Sequence, residues 1–158
     1  MILFIYMVIE RRFEQDMTLV GKKVLIVDDD FAMCELFRMC CFEIEGCETT
    51  TAGNGQEALR FLGDPRLQFD LLVVDKEMPQ LDGPGLIKTI RNGGGQLARY
   101  KTIPIIMVSG RFTSDGSAHY EAQQTMADTG FRKPLELKNL TGAAKTLLGN
   151  CILAPKTG

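Results

Sequence analysis

Leu71-Leu72-Val73-Val74-Asp75-Lys76-Glu77-Met78-Pro79-Gln80-Leu81-Asp82-Gly83 is the stretch on which the fold turns. Four apolar residues run straight into a lone carboxylate, then into a loop marked by Pro79 and the Asp82-Gly83 turn signal. A continuous apolar run of this length, closed by turn residues, predicts a strand buried on both faces. Asp75 then sits at the carboxyl end of that strand, where it meets water. In open α/β sheets that edge is where ligands bind. A carboxylate there also has a bland use, as the start of a loop, so this stretch alone leaves its role open.

Two further runs share the character of Leu71–Val74. Lys22-Lys23-Val24-Leu25-Ile26-Val27 ends in Asp28-Asp29-Asp30, and the run from Ile103 to Val108, with Pro104 near its start, ends at Ser109-Gly110. Between the first run and the organising one lie a predicted helix and a weaker strand. The helix repeats Met33, Leu36, Phe37, Cys40 and Ile44 at three- and four-residue spacing and closes at Gly46. The threonine-rich segment from Cys47 to Ala52 suits a strand nearer the sheet edge. Asn54 is expected to cap a helix with Ala58, Leu59 and Leu62 inward, ending near Asp64-Pro65.

After Gly83 comes a helix with Leu86, Ile87 and Ile90, broken at Asn92-Gly93-Gly94-Gly95, and a loop to Lys101. Ser114 or Asp115 is a candidate cap for a fourth helix. It would turn Ala118, Ala122 and Met126 inward and His119, Glu121, Gln123 and Gln124 outward. A brief strand, Gly130-Phe131-Arg132, leads into Lys133-Pro134. The last helix carries Leu137, Leu140, Ala144, Leu147 and Leu148 on one stripe. Strand and helix alternate five times, which predicts an α/β, doubly wound parallel sheet with helices on both faces.

Composition sets the outer bounds. At 158 residues, 45% hydrophobic and 24% charged, the chain is ordinary globular material of one-domain length. A net charge of −2 gives no electrostatic footprint for nucleic acid or an anionic membrane. The five cysteines (Cys34, Cys40, Cys41, Cys47 and Cys151) are odd in number and lack a C-x-x-C. They read as reduced thiols in a cytoplasmic or nuclear protein. The apolar start, Met1 to Ile9, is shorter than the roughly 20 residues a bilayer span needs. Its charges come after the apolar run, whereas a secretory signal carries them before it. Residues 1–16 are therefore expected to be a disordered upstream extension from a misplaced start codon, residues 17–150 the domain, and residues 151–158 a short tail. Mass spectrometry of the native protein is expected to find the amino terminus near Met17; a terminus at Met1 would refute this.

The polar residues at the strand ends form a constellation. Asp28 and Asp29 follow the first strand, Asp75 ends the third, Ser109 follows the fourth and Lys133 the fifth. In a parallel sheet all lie on one edge, and they converge if the first, third and fourth strands are neighbours. Three close carboxylates repel and stay ionised only when a cation neutralises them. Oxygen ligands few in number favour Mg²⁺ over Ca²⁺. One carboxylate is then free to act as a nucleophile toward phosphorus, with a lysine and a hydroxyl balancing the transferred oxygens.

Leu25-Ile26-Val27-Asp28-Asp29-Asp30, Val74-Asp75-Lys76-Glu77-Met78-Pro79 with Asp82-Gly83, Val108-Ser109-Gly110 and Lys133-Pro134 resemble the receiver domain of two-component response regulators, over about residues 22–149. The resemblance implies a flavodoxin-like sheet of order 2-1-3-4-5. It implies that Asp75 is the phosphoacceptor for a histidine phosphotransfer protein or histidine kinase. Asp29 and the backbone carbonyl of Glu77 would bind Mg²⁺ directly, Asp28 through water. Ser109 and Lys133 would hold the acyl phosphate, and the Lys133-Pro134 bond would be cis. The motif around Asp75 is most similar to plant receivers. With only residues 135–158 after Pro134, the chain resembles the stand-alone type-C regulators, which have no output domain; a receiver cut from a hybrid kinase would look similar in sequence. A monomer without a nucleic-acid or membrane partner is expected. Some type-C relatives are phosphohistidine phosphatases, so enzymatic action through Asp75 is the alternative, and a binding-only pseudo-receiver a third.

The chain departs from the family pattern in one place. Many receivers carry Tyr or Phe three residues before the lysine as a side chain that swings inward on phosphorylation. Here that position is Gly130, beside Phe131. The aromatic half of the switch is expected to be missing. Glu77, Gly110 and Arg111 flank the site at positions that modulate it. An ion pair between Glu77 and Arg111 would screen the acyl phosphate from water, but two solvated side chains are the simpler reading, since exposed pairs contribute about 0–1 kcal/mol. Gly53-Asn54-Gly55-Gln56-Glu57-Ala58 fits a dinucleotide fingerprint but comes after the wrong strand, and Asn54 has its cap role instead. His119, the sole histidine, is read as a surface residue.

Overall fold

The computed structural model describes residues 21–44, 47–110 and 122–150. Five parallel strands form one sheet: β1 (Lys23–Val27), β2 (Glu48–Ala52), β3 (Leu71–Asp75), β4 (Ile105–Ser109) and β5 (Thr129–Arg132), in the order β2-β1-β3-β4-β5. The helices are α1 (Phe31–Phe42), α2 (Gly55–Gly63), α3 (Gly83–Asn92) and α4 (Leu137–Asn150). The stretch before Lys101, expected only as a loop of uncertain shape, holds a 3₁₀ helix, Gly95–Tyr100.

The three apolar strands are central, and every second residue explains why. Val24, Ile26, Leu71, Val73, Ile106 and Val108 pack against α1 and α4. Leu25, Val27, Leu72, Val74, Ile105 and Met107 face the other way, toward α2 and α3. With a helix layer on each side, both sets must be apolar. The edge strands differ: β2 is half-exposed except for Ala52, and β5 has no buried residue.

Helix starts obey the local chemistry. Asp30, Asn54 and Asp82 each cap a helix, their side chains accepting from the N–H groups of Ala32, Glu57 and Gly85. Asp82-Gly83 is thus a helix entry rather than a free turn. On the last helix Leu140, Ala144 and Leu148 are buried, with Leu137 and Leu147 partly so.

One expected core residue is not in the core. Met126 is 46% exposed, whereas Ala122 is buried and Gln123 and Gln124 are exposed as expected. The helical stretch ends at Gln124, and the N–H groups of Thr125 and Met126 bond back only three residues, to Ala122 and Gln123. Met126 takes φ 63°, which turns its side chain outward, while Arg91 donates to its carbonyl at 3.2 Å. A 3.6-residue period extended past a helix end predicts the wrong face. Ser114, Asp115, Ala118, His119 and Glu121 lie outside the described residues, as does Gly46.

Candidate functional site

Strand register brings the polar residues together. Val27 lies level with Val74, so Asp28 lies level with Asp75; Asp75 is level with Val108, and Ser109 with Arg132. The ladders continue past the strand ends, with Lys76 N–H donating to the Val108 carbonyl at 2.7 Å and Lys133 N–H to the Ser109 carbonyl at 2.8 Å. Asp28, Asp75 and Ser109 are therefore one residue or less apart in level on three adjacent strands. All three are buried, at 2%, 3% and 1% exposure, and Asp29 is exposed.

The lysine completes the cluster. Lys133 Nζ is 2.8 Å from Asp28 Oδ2 and 2.7 Å from Asp75 Oδ1. The remaining oxygens are held by backbone: Asp30 N–H donates to Asp28 Oδ1 and Glu77 N–H to Asp75 Oδ2, each at 2.9 Å. Neither bond was foreseeable from residue types, since each depends on how the chain turns after its strand. The Lys133–Pro134 peptide is cis.

Burial dominates the electrostatics of Asp75 and raises its pKa; the hydrogen bond from Lys133 opposes this and the charge of Asp28 adds to it. Burial also works to lower the Lys133 pKa, but its hydrogen bonds to Asp28 and Asp75 outweigh that and the net shift is upward. One ammonium thus faces three acids. Oxygens of Asp28, Asp29 and Asp75 lie within 4.8 Å of one another, an all-carboxylate donor set suited to a hard divalent cation. The residues present fit Mg²⁺.

Glu77 is exposed, and its Oε2 lies 3.8 Å from where a Cβ on Gly110 would sit, so the carboxylate hangs over the Ser109–Gly110 turn. Arg111 lies outside the described residues. For an acyl phosphate formed on Asp75, Glu77→Ala and Arg111→Ala are each expected to change the hydrolysis rate by less than about fivefold, since an exposed pair contributes about 0–1 kcal/mol; a change of about tenfold or more in either would establish gating. Phe131 packs with Val108 and Leu140 on the face covered by α1 and α4, while Gly130 is paired with Met107, which faces the opposite layer. Phe131 is on the wrong side of the sheet to substitute for the missing aromatic. Asn54 accepts from Glu57 N–H and Gly53 N–H donates to Glu57 Oε2, so the dinucleotide-like run is a helix entry. Residue types alone gave no sign of the part played by Gly83, whose N–H donates to the Lys76 carbonyl and which presses on the backbone of Asp75.

A parallel 2-1-3-4-5 sheet with buried acids and a lysine at one rim defines a receiver-type α/β module. The response regulator receiver domain model matches residues 24–145, and the chain belongs to that family. It is 30% identical over 126 residues to the transcriptional regulatory protein CpxR homolog of Haemophilus influenzae, covering 80% of this chain and 50% of that protein. Over 68 residues it is 44% identical to the two-component response regulator ARR22 of Arabidopsis thaliana, covering 43% of this chain and 47% of that protein. The chain thus spans about half the length of these curated relatives. Among solved structures, a Francisella response-regulator receiver domain superposes with TM-score 0.69 at 27% identity, covering 83% of this chain and 99% of that one. The signal receiver domain of a histidine kinase from Syntrophus aciditrophicus gives TM-score 0.70 at 27% identity, covering 87% and 98%.

Proposed function

We propose that Asp75 accepts a phosphoryl group from a phosphohistidine on a phosphotransfer protein or histidine kinase. The observation that carries this reading is the Lys133 ammonium bridging Asp28 and Asp75 among three acids on one rim. Burying like charges together is costly, and a fold that does so needs a use for the arrangement. An oxygen of Asp75 attacks phosphorus as the P–N bond breaks, and the imidazole leaves with the bonding electrons. Lys133 then exchanges its contact with Asp75 Oδ1 for a phosphoryl oxygen, and the Ser109 hydroxyl donates to another. Asp28, Asp29, Asp75 and the carbonyl of Glu77 would hold Mg²⁺. When bound, that ion supplies positive charge for the acids and the transferred oxygens.

The donor needs a place to dock, and α1 offers one. Of the four large apolar side chains exposed among the described residues, three are on this helix: Phe31 at 77%, Met39 at 63% and Phe42 at 87%. Phe31 directly follows Asp30 of the acidic loop, so a partner on this face reaches the rim.

The test is phosphotransfer from a labelled histidine phosphotransfer protein in the presence of Mg²⁺, followed over time. Label that moves to this chain and persists supports a relay. Inorganic phosphate released over many turnovers, with little label retained, would assign the phosphatase alternative to the same Asp75. Neither label, nor released phosphate, nor binding of beryllofluoride with Mg²⁺ would leave a binding-only pseudo-receiver and overturn the proposal.

A further inference from the structure

The solvent face of a helix is ordinarily polar, and that of α1 is not. Phe31, Glu35, Arg38 and Phe42 follow one another at steps of four, three and four residues. On a helix those steps place all four in one stripe about 60° wide. Both ends of the stripe are strongly exposed phenylalanines. Between them Arg38 Nη1 donates to Glu35 Oε1 at 2.8 Å, in a pair that is itself about half exposed. A single exposed phenylalanine is common on a soluble surface. Two of them, at equal distances from a central pair of opposite charges, are more than a solvated face needs.

The stripe reads the same from either end. Turned end for end about its midpoint between Glu35 and Arg38, it lays Phe31 on Phe42 and Glu35 on Arg38. A surface with this property is complementary to itself across a two-fold axis. Beside Phe42 it also opens into a hollow of about 320 Å³ lined by Glu35, Arg38, Met39, Phe42, Cys47 and Thr49. An apolar cavity of roughly 150 Å³ accepts a benzene ring, so the hollow has room for one aromatic side chain.

We propose that α1 pairs antiparallel with α1 of a second copy of this chain. Phe31 then meets the partner's Phe42 at the mouth of the partner's hollow, and the same contact recurs at the other end. In the middle each Glu35 faces the partner's Arg38 as well as its own, giving a ring of four alternating charges. A parallel pair would set Glu35 against the partner's Glu35 and Arg38 against the partner's Arg38. Charge therefore selects the antiparallel arrangement. Three turns of helix offer a small contact, at or below about 1,200 Å² in total, so pairing is reversible and follows concentration. Composition and charge gave no reason to expect more than a monomer; the exposed face of α1 does. A donor that docks on α1 would have to displace the second copy. That consequence rests on the donor reading, and the pairing itself does not.

The experiment is sedimentation equilibrium of the full-length chain across a hundredfold range of concentration, with reductant present and without Mg²⁺ or phosphodonor. The mass is expected to rise with concentration toward that of two chains. Glu35→Arg and Arg38→Glu each bring four like charges together across the axis and should each weaken pairing by about tenfold or more. Mixed in equal amounts, the two variants should pair with each other at least as tightly as wild-type copies do, because every charge across the axis is then matched. Only an intermolecular contact through these two positions predicts that recovery. Phe42→Ala removes a ring from both ends of the contact at once and should weaken pairing by about tenfold. Monomers at every concentration, or charge variants that stay apart when mixed, would overturn the proposal. So would a dimer untouched by Phe42→Ala but lost on deletion of residues 1–16, since the apolar Met1–Ile9 would then make the contact. The readout is mass without metal or phosphate, so its outcome is independent of whether Asp75 accepts a phosphoryl group.

Discussion

Asp75→Asn is expected to abolish formation of the acyl phosphate entirely while leaving the domain folded. An amide nitrogen or oxygen at this position is no nucleophile toward phosphorus, and no other described carboxylate has the same placement. Asp28 shares Lys133 but gives its second oxygen to Asp30 N–H, and Asp29 is exposed at the rim. The stability of this variant tests the electrostatics separately. Burial is the largest influence on Asp75 and raises its pKa. A carboxyl with a raised folded pKa binds its proton more tightly when folded than unfolded. Stability therefore falls as pH rises from the ordinary carboxylate value through the folded one, and at neutral pH the ionised group is a net cost. Asn carries no such charge, so without Mg²⁺ its melting temperature at neutral pH should equal or exceed that of the wild type. Added Mg²⁺ should raise the melting temperature of the wild type more than that of Asp75→Asn, because one of three anionic ligands is gone. Lys133 acts in the opposite pH range. Its raised folded pKa contributes stability that is fully present below the ordinary lysine value and is lost as pH climbs through the folded one. Label on Asp75→Asn, or a melting temperature several degrees below the wild type in metal-free buffer, would count against this account of the site.

The parts of the fold that were legible in the sequence are those where one physical demand acts alone. Val24–Val27, Leu71–Val74 and Ile105–Val108 must be apolar on both faces because helices cover both, and each run announces itself. The acids and the serine were legible because a charged or hydroxyl residue at the end of such a run breaks the pattern where the sheet meets water. β2 and β5 were placed by alternation more than by their own residues; β2 buries only Ala52, and β5 buries none of its four. Met126 was misread because periodicity carries no mark of where a helix stops, and a left-handed residue there reverses the face. The 3₁₀ helix at Gly95–Tyr100 was missed because three glycines advertise a break and say little about the conformation beyond it. Inside the site, residue types gave the members but not their bonds. That Lys133 bridges Asp28 and Asp75, and that Glu77 N–H holds the other oxygen of Asp75, are consequences of strand register and of the turn after β3. Both are set by contacts across the sheet.

Gly83 is where that turn depends on a missing side chain, and Gly83→Ala is expected to be the most damaging single-methyl change near the site. A Cβ there would overlap the carbonyl oxygen of Asp75 and lie 2.9 Å from the Cα of Lys76. These are backbone atoms and cannot rotate away as a side chain can. Nor can α3 easily retreat: Leu86, Ile87 and Ile90 are fully buried against the sheet, and Gly83 N–H is tied to the Lys76 carbonyl at 3.0 Å. The Asp75 backbone is in turn pinned between β1 and β4 through its neighbours. Relief requires moving either the helix or the strand end that carries Asp75. Overpacking of this kind costs about 2–3 kcal/mol, which for a domain of this size lowers the melting temperature by roughly 4–12 °C. Displacing the Asp75 carbonyl should also weaken beryllofluoride binding in the protein that remains folded. Gly142→Ala is the matched control. It lies in α4, is exposed, and has nothing within 4 Å of its would-be Cβ. In a helix interior alanine is favoured over glycine by about 1 kcal/mol, so this variant should melt at or above the wild type. Thermal melts of the two alanine variants, read side by side, separate a packing constraint at Asp75 from any general cost of replacing glycine. Equal melting temperatures for both would remove Gly83 from the site's architecture.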